Sequence, residues 1–559
     1  MVFFLSARWR YLGTVLLLAL LTAAWPARAA ERIFFYYSII GRSLDVSGLE
    51  AFAEEGTVNG QLGGYFSLAG VDEEEQAAFR AALQRPAPVD PALLSRVLYT
   101  NIGEDILERF LGDLLRTEAG LNGKYSLRAA LVLAAQDEDG LSTLNFLRQL
   151  PTDMRVNLQS VLNLAQNVEA VVNATLFAIE TLEVLSDKEA GQNTPINYAD
   201  LPPLDQPGAD QTRSLQWNLT AERQDPISGE SYQREFYVNV TRPDQLRSGK
   251  MPVVVLSHGL SSKPEYFTAL AGHMASHGYV VAMPQHPGSD ESYRNQLIEG
   301  LTSTLFDVGE FVDRPLDISA VIDELENRNA SEFGGQLDLD HVGVGGHSFG
   351  GYTALAVAGA TIDFDFLEAE CGDRFSYLNT SLLLQCQALD LPRQTYGFRD
   401  ERVQSVAVLN PVNSSIYGPE GLGQIQIPAM VLSGSHDPAT PAVFEQFRTF
   451  PWLASEERYL GLIEGQAHVD FSELDVGITD TINSINGLTL ADPSIIETYA
   501  HGFALAFFGV HAAQNEEYRP YLQASYSDYL SRDQATPLHL ISEVMNPELE
   551  AATARFYSR

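Results

Sequence analysis

Val342-Gly343-Val344-Gly345-Gly346-His347-Ser348-Phe349-Gly350-Gly351-Tyr352-Thr353-Ala354-Leu355 is the stretch on which the reading of this chain turns. A short apolar run of strand character, Val342 to Val344, leads into Gly346-His347-Ser348-Phe349-Gly350, and an Ala- and Leu-rich helical run follows. A bare G-x-S-x-G says little. Between a strand and a helix it says much, because the sharp turn demands small residues around it and lifts the serine hydroxyl over the sheet edge. Ser348 is therefore the candidate nucleophile. The competing reading is a tight glycine turn with no chemistry.

A serine hydroxyl is a poor nucleophile and needs a base that a carboxylate orients. With an elbow of this kind the partners follow in the order serine, acid, histidine. Downstream lie His436, His468, His501, His511 and His539. His468 closes Glu464-Gly465-Gln466-Ala467-His468, a loop after the strand-like Tyr459 to Ile463, and is the expected base. His501 and His511 fall on or beside a helix, and His539 is near the C-terminus. Asp437, in Ser433-Gly434-Ser435-His436-Asp437-Pro438, follows the apolar strand at Val431 and is the expected acid. His436 reads as a loop residue, while Asp470 stands two residues past the base and is a weaker candidate. An oxyanion needs two backbone N–H donors. Phe349, next after the nucleophile, supplies one. Leu260, in His258-Gly259-Leu260 after the strand Val253 to Leu256, is chosen for the other.

Outward from the elbow, short apolar strands alternate with helices, the pattern of an α/β fold with a mostly parallel sheet and helices on both faces. The strands are Ser214 to Leu219, Phe236 to Val240, Val253 to Leu256, Val280 to Ala282, Val342 to Val344, Val403 to Leu409 and Met430 to Leu432. A helix from about Ile495 to Phe508 closes the fold. An insertion at about 361–402 lies where such folds hang a lid over the strands' carboxyl ends. Upstream, 30–185 reads as a mostly helical domain, in which Asp90-Pro91 has the form of a capped helix start. Leu158, Val161, Leu162, Ala165, Val168, Val172, Leu176 and Ile179 form an apolar helical stripe. The prolines and glycines of 186–212 mark a linker, leaving 213–559 as the second domain.

The first residues are an address. Arg8 and Arg10 precede an apolar run from Leu12 to Ala24, and Ala27-Arg28-Ala29 has the small-x-small cleavage pattern, so 1–29 is read as a secretory signal peptide. Periplasmic or extracellular export follows, with no stable membrane anchor after cleavage. Only Cys371 and Cys386 are present. An oxidising compartment lets them pair, closing a short loop for about 3 kcal/mol in the chain-entropy picture. The charged residues divide 73 acidic to 35 basic, a formal net charge of −38. A surface that negative disfavours nucleic acid and anionic headgroups as partners.

Ser257-His258-Gly259-Leu260, Gln285-His286-Pro287-Gly288-Ser289, Arg314-Pro315-Leu316-Asp317-Ile318 and Gly346-His347-Ser348-Phe349-Gly350-Gly351 together resemble bacterial predicted dienelactone hydrolases and the platelet-activating-factor acetylhydrolases. The resemblance spans about 214–512. It implies an α/β-hydrolase fold, serine hydrolysis of acyl esters of small molecules or lipids, and no cofactor. Residues from about Ile33 to Leu185 look like a helical domain of unknown function that precedes such hydrolases in cyanobacterial exported proteins. Two departures stand out. True dienelactone hydrolases use a cysteine nucleophile, and the acetylhydrolases place their acid where this chain has Asn410-Pro411, which points again to Asp437. No histidine pair combines ligand spacing with a nearby carboxylate, so nothing requires a metal. The same nucleophile and oxyanion hole would also serve an amidase or acyltransferase, and a binding protein with a hydrolase shell is the alternative outside catalysis.

Overall fold

The computed structural model describes residues 30–37, 40–87, 89–111, 114–372, 379–469 and 490–557; the expected signal peptide, 1–29, lies outside them. Two compact units divide between Gln166 and Asn167.

In the first unit helices carry most of the chain, accompanied by a four-stranded sheet that the sequence reading did not include. Its strands are β1 (Arg32–Tyr37), β2 (Ile40–Asp45), β3 (Leu115–Thr117) and β4 (Met154–Asn157), in the order β2-β1-β4-β3. β1 and β2 pair as an antiparallel hairpin, and β1 runs parallel to β4. Arg-Ile-Phe-Phe-Tyr-Tyr is rich in the aromatic and β-branched residues that suit a half-buried pleat, whereas β3 and β4 are too short to show a period. Ile33, Leu44, Leu49, Phe52, Leu62 and Leu83 gather in one core beside this sheet. Asp90 caps its helix as expected: its carboxylate accepts the Leu93 N–H at 2.7 Å, with Pro91 opening the helix.

One helix runs Leu158–Ala190, straight through the expected domain end at 185. Nothing before Pro195 interrupts it, and its last turns are built into the second unit. The Ser186 hydroxyl accepts the Leu540 N–H at 3.2 Å, and the Glu189 carboxylate accepts the Ser542 N–H and hydroxyl at 3.0 and 2.6 Å. Among the helix residues whose side chains are described, Ala174, Ala178, Leu182 and Leu185 are the buried apolar ones, while Leu176 of the expected stripe is exposed. The proline-rich stretch 186–212 is likewise no free tether. Tyr198 and Leu204 are buried in the main core, His273 donates to the Leu204 carbonyl, and Tyr521 donates to that of Pro202.

The second unit is built on a nine-stranded sheet. Its strands are β5 (Thr212–Gln224), β6 (Ser231–Pro243), β7 (Met251–Ser257), β8 (Val280–Pro284), β9 (Leu337–His347), β10 (Val403–Leu409), β11 (Ala429–Gly434), β12 (Arg458–Ile463) and β13 (Leu538–Ser542). Their order is β13-β12-β11-β10-β9-β7-β8-β6-β5. β7 through β12 are mutually parallel, flanked by the antiparallel hairpin β5–β6 on one side and antiparallel β13 on the other. The central strands are apolar on both faces because helices cover both. The closing helix, Pro493–His511, buries Tyr499, Phe503, Phe507 and Phe508 against the sheet. The expected lid region holds helix Phe364–Gly372, helix Leu382–Gln385 and the turn Cys386–Asp390. Cys371 and Cys386 are disulfide-bonded across it, Cα–Cα 5.9 Å. Among the described residues no helix is long and apolar enough to cross a membrane.

Candidate active site

Strand β9 ends at His347, and helix Phe349–Ala358 starts two residues on, so Ser348 alone makes the turn. Its φ of 58° lies in the region L-residues rarely occupy, a conformation that costs about 1–3 kcal/mol and persists only when its surroundings enforce it. The glycines are what allow it. A Cβ on Gly346 would stand 2.1 Å from the Gly350 carbonyl oxygen, and one on Gly350 would stand 1.9 Å from that of Ser257. The first substitution would force the strand end and the helix apart, and the second would push the helix off β7.

The candidate base, His468, and the candidate acid, Asp437, follow adjacent parallel strands, β12 and β11. The loops after β11 and β12 are laced together: Ser435 N–H donates to the Ile463 carbonyl at 3.1 Å and His436 N–H to that of Gln466 at 3.0 Å. The Ser435 hydroxyl in turn accepts the Gly465 N–H at 2.9 Å. This lacing sets His468 between the other two groups. Its Nε2 lies 2.8 Å from Ser348 Oγ and its Nδ1 lies 2.7 Å from Asp437 Oδ2. With Nδ1 donating to the carboxylate, Nε2 is left as the acceptor for the serine proton.

Asp437 is buried, yet fully satisfied. Oδ1 accepts the Ala439 and Thr440 N–H groups at 2.8 and 2.9 Å, and Thr440 Oγ1 is 2.8 Å from Oδ2. Burial alone would raise this carboxyl; the His468 imidazole and the hydrogen bonds from His468 and Thr440 outweigh it and hold the group below its ordinary range. Thr440 was not singled out from sequence. Asp-Pro-Ala-Thr is nevertheless a turn in which a carboxylate accepts the amides two and three residues on, a signal that was available.

The remaining candidates are placed elsewhere. His436 bonds its neighbour Ser435, His501 stacks on His273 at 4.1 Å, His511 faces Glu457, and His539 on β13 pairs with Glu464 at 2.7 Å. Asp470 lies outside the described residues. His347 packs its ring 4.7 Å from that of His468; burial and then the neighbouring His468 pull it down to about 3, so it stays uncharged beside His468.

Phe349 N–H is at the first position of its helix, where no intrahelical acceptor exists. The loop bearing Leu260 passes close by, since a Cβ on Gly259 would stand 3.2 Å from Ser348 Cβ. Ser261, next after Leu260, also has a positive φ, 58°. Among the described residues no group of three or more His, Cys, Asp or Glu side chains could hold a metal ion.

The sheet order, a single antiparallel hairpin before the crossovers, and a strained serine between strand and helix match one architecture, and family comparisons agree with it. Residues 29–157 match a family described as alpha/beta hydrolase of unknown function (DUF1400), and residues 228–369 match the chlorophyllase family. The fold is that of an α/β-hydrolase. A platelet-activating factor acetylhydrolase from Canis lupus familiaris is 27% identical over 166 residues, which is 22% of this chain and 36% of that relative. This α/β-hydrolase thus spans well under two thirds of the acetylhydrolase it resembles, and both family matches cover less than half of it. The chlorophyllase match includes the Gly259–Leu260 loop and the Ser348 elbow but stops short of Asp437 and His468.

Proposed function

We propose that this α/β-hydrolase is an exported serine esterase that cleaves carboxylic esters of small molecules or lipids. The observation that carries the reading is the relay from Ser348 Oγ through His468 to Asp437, at 2.8 and 2.7 Å. In this mechanism Ser348 Oγ attacks the ester carbonyl as its proton passes to His468 Nε2. Asp437 holds the imidazole tautomer and stabilises the imidazolium, and the Phe349 and Leu260 N–H groups receive the oxyanion. His468 then protonates the departing alcohol. Water, deprotonated by the same nitrogen, releases the acid from Ser348. The names of the two similar groups, chlorophyllase and acetylhydrolase, favour esters over amides. Export rests on the leader sequence 1–29 and is compatible with the Cys371–Cys386 disulfide.

The test uses a fluorophosphonate probe and a panel of esters of graded chain length beside matched amides. Stoichiometric labelling on the peptide containing Ser348, with ester turnover exceeding amide turnover, is expected. Label elsewhere, or none on folded protein, overturns the nucleophile; amide preference overturns the esterase.

The same scheme fixes a pH dependence. Asp437, held below the usual carboxylate range, remains ionised through mild acid, so the relay keeps its acid there. His468 must be neutral to take a proton, so kcat/KM falls as pH falls, approaching about tenfold per unit for one proton. A flat acid limb on protein that circular dichroism reports as folded would point to a different base.

A further inference from the structure

Two of the sequence motifs, Gln285 to Ser289 and Arg314 to Ile318, have no part in the relay just described. Both converge on the rear of the Gly259–Leu260 loop, in a polar cluster shut off from solvent. His286 donates from Nδ1 to Asp317 at 2.9 Å and accepts from the Ser257 hydroxyl at 2.9 Å, and Asp317 is gripped by Arg234. This serine–histidine–aspartate array copies the chemistry of a nucleophile relay, but every member is fully buried. It faces no substrate. What it does face is His258. The His286 backbone N–H donates to His258 Nε2 at 3.2 Å, so the His258 proton is on Nδ1, which donates to the Gly259 carbonyl at 2.8 Å.

That carbonyl belongs to the same peptide plane as the Leu260 N–H. In a trans peptide C=O and N–H point in opposite directions, so holding the oxygen inward aims the N–H away from the cluster. A hydrogen bond accepted by the carbonyl also polarises the unit and strengthens its N–H as a donor. Arg314 completes the hold. Its Nη2 donates to the His258 carbonyl at 2.7 Å and approaches the Gly259 carbonyl at 3.5 Å. The same guanidinium lies 4.5 Å from the centre of the Phe349 ring, the residue whose N–H is the other oxyanion donor. Burial pulls Arg314 down only to about 10, so the cation persists at neutral pH, with Glu310 at 3.7 Å as its counter-ion.

We propose that Arg314 and His258 are positioning residues of the oxyanion hole, one clamp that fixes the Gly259–Leu260 peptide against Phe349 so that both N–H donors meet the developing charge. The inference rests on the serine-esterase reading. Neither side chain touches substrate; both act through the backbone.

The test compares His258→Leu, His258→Asn and Arg314→Lys with wild type on p-nitrophenyl acetate. It also measures the second-order rate of fluorophosphonate labelling and the inhibition constant of a trifluoromethyl ketone, which binds as a tetrahedral oxyanion. Asparagine can present an N–H where histidine has Nδ1, whereas leucine cannot. Because misplacement by about 1 Å can cost about 10²-fold, His258→Leu is expected to lower kcat by about that factor with KM little changed. Labelling should slow and the ketone should weaken in step, with His258→Asn recovering at least about tenfold. Arg314→Lys keeps the charge but loses the fork, and is expected to show the same kcat-selective loss should His258→Leu not fold. Equal losses in the Leu and Asn variants, a change confined to KM, or ketone affinity that does not follow kcat/KM overturns the proposal. Ser348→Ala run alongside separates the two layers. If it is inactive while the clamp variants match wild type, only the clamp falls; if it retains turnover, the serine reading falls first.

Discussion

Ser348→Ala is expected to leave the fold intact and to lower ester turnover by roughly 10³–10⁶-fold. The alanine removes one oxygen that is hydrogen-bonded only to His468 among the described residues, so little packing is lost. The unusual backbone at position 348 is enforced by its neighbours: its N–H donates to the Leu409 carbonyl, and its own carbonyl accepts from Gly351 and Val412. The elbow therefore survives the substitution, and the oxyanion donors with it. Some residual rate from those donors is consistent with the mechanism. The comparison to make is kcat/KM on one short-chain ester, with thermal melting as the control for folding. Turnover near wild type in this variant would remove Ser348 from the mechanism.

Asp437→Asn carries the second large effect. The asparagine fits the same space and can still accept from Ala439 and Thr440, so the loop should hold its shape. Against His468, however, an amide can present N–H where the carboxylate accepted, favouring the tautomer with its proton on Nε2. That nitrogen can then no longer receive the serine proton. In a serine protease the comparable change costs about 10⁴ in kcat, and a loss of that order is expected here. Asn410 sharpens the comparison, because it stands at the strand end where the acetylhydrolases are expected to carry their acid. Its Oδ1 accepts the Gly434 N–H at 2.7 Å, and its backbone carbonyl lies 3.2 Å from Thr440 Oγ1. A carboxylate at 410 would be drawn into that same bond with Gly434 instead of toward the base. Adding Asn410→Asp to Asp437→Asn is therefore expected to restore little of the rate, and recovery to within tenfold of wild type would show that either strand end can seat the acid. Asp437→Asn remaining within about tenfold of wild type would remove Asp437 from the relay.

The elbow was legible because its requirement is local: no residue with a side chain fits at Gly346 or Gly350, so the sequence must display glycine there. The histidine and the acid could be chosen from order and strand ends alone, since parallel neighbours deliver their loops to one edge. The clamp was not legible. Glu310, Asp313, Arg314 and Asp317 recur at helical spacing, which ordinarily marks a solvated face, and here that face is buried against Arg223 and Arg234 of the β5–β6 hairpin. Periodicity reports which residues share a face, not what covers it. The same limit shows on helix Leu158–Ala190, where Val172 and Ile179 of the expected stripe are half-buried and Leu176 is exposed, while Ala174 and Ala178 are buried. β13 escaped notice for a different reason. Leu-His-Leu-Ile is too short to display alternation, and only its partner β12 makes it a strand.

That last strand bears on the order in which the molecule can be completed as it is made. A chain synthesised from its N-terminus presents β12, and the loop residue His468 after it, some seventy residues before Leu538–Ser542 emerges to cover its free edge. Until then β12 is an open row of amides and carbonyls, the kind of edge that recruits other strands. The late strand also anchors the turns of helix Leu158–Ala190 that hold Ser186 and Glu189, a segment made more than three hundred residues earlier. The late strand is thus fastened to a much earlier helix beside the loop that carries His468. A nascent chain cut short before that point keeps Ser348, His468 and Asp437, but lacks the strand that seals the sheet next to them.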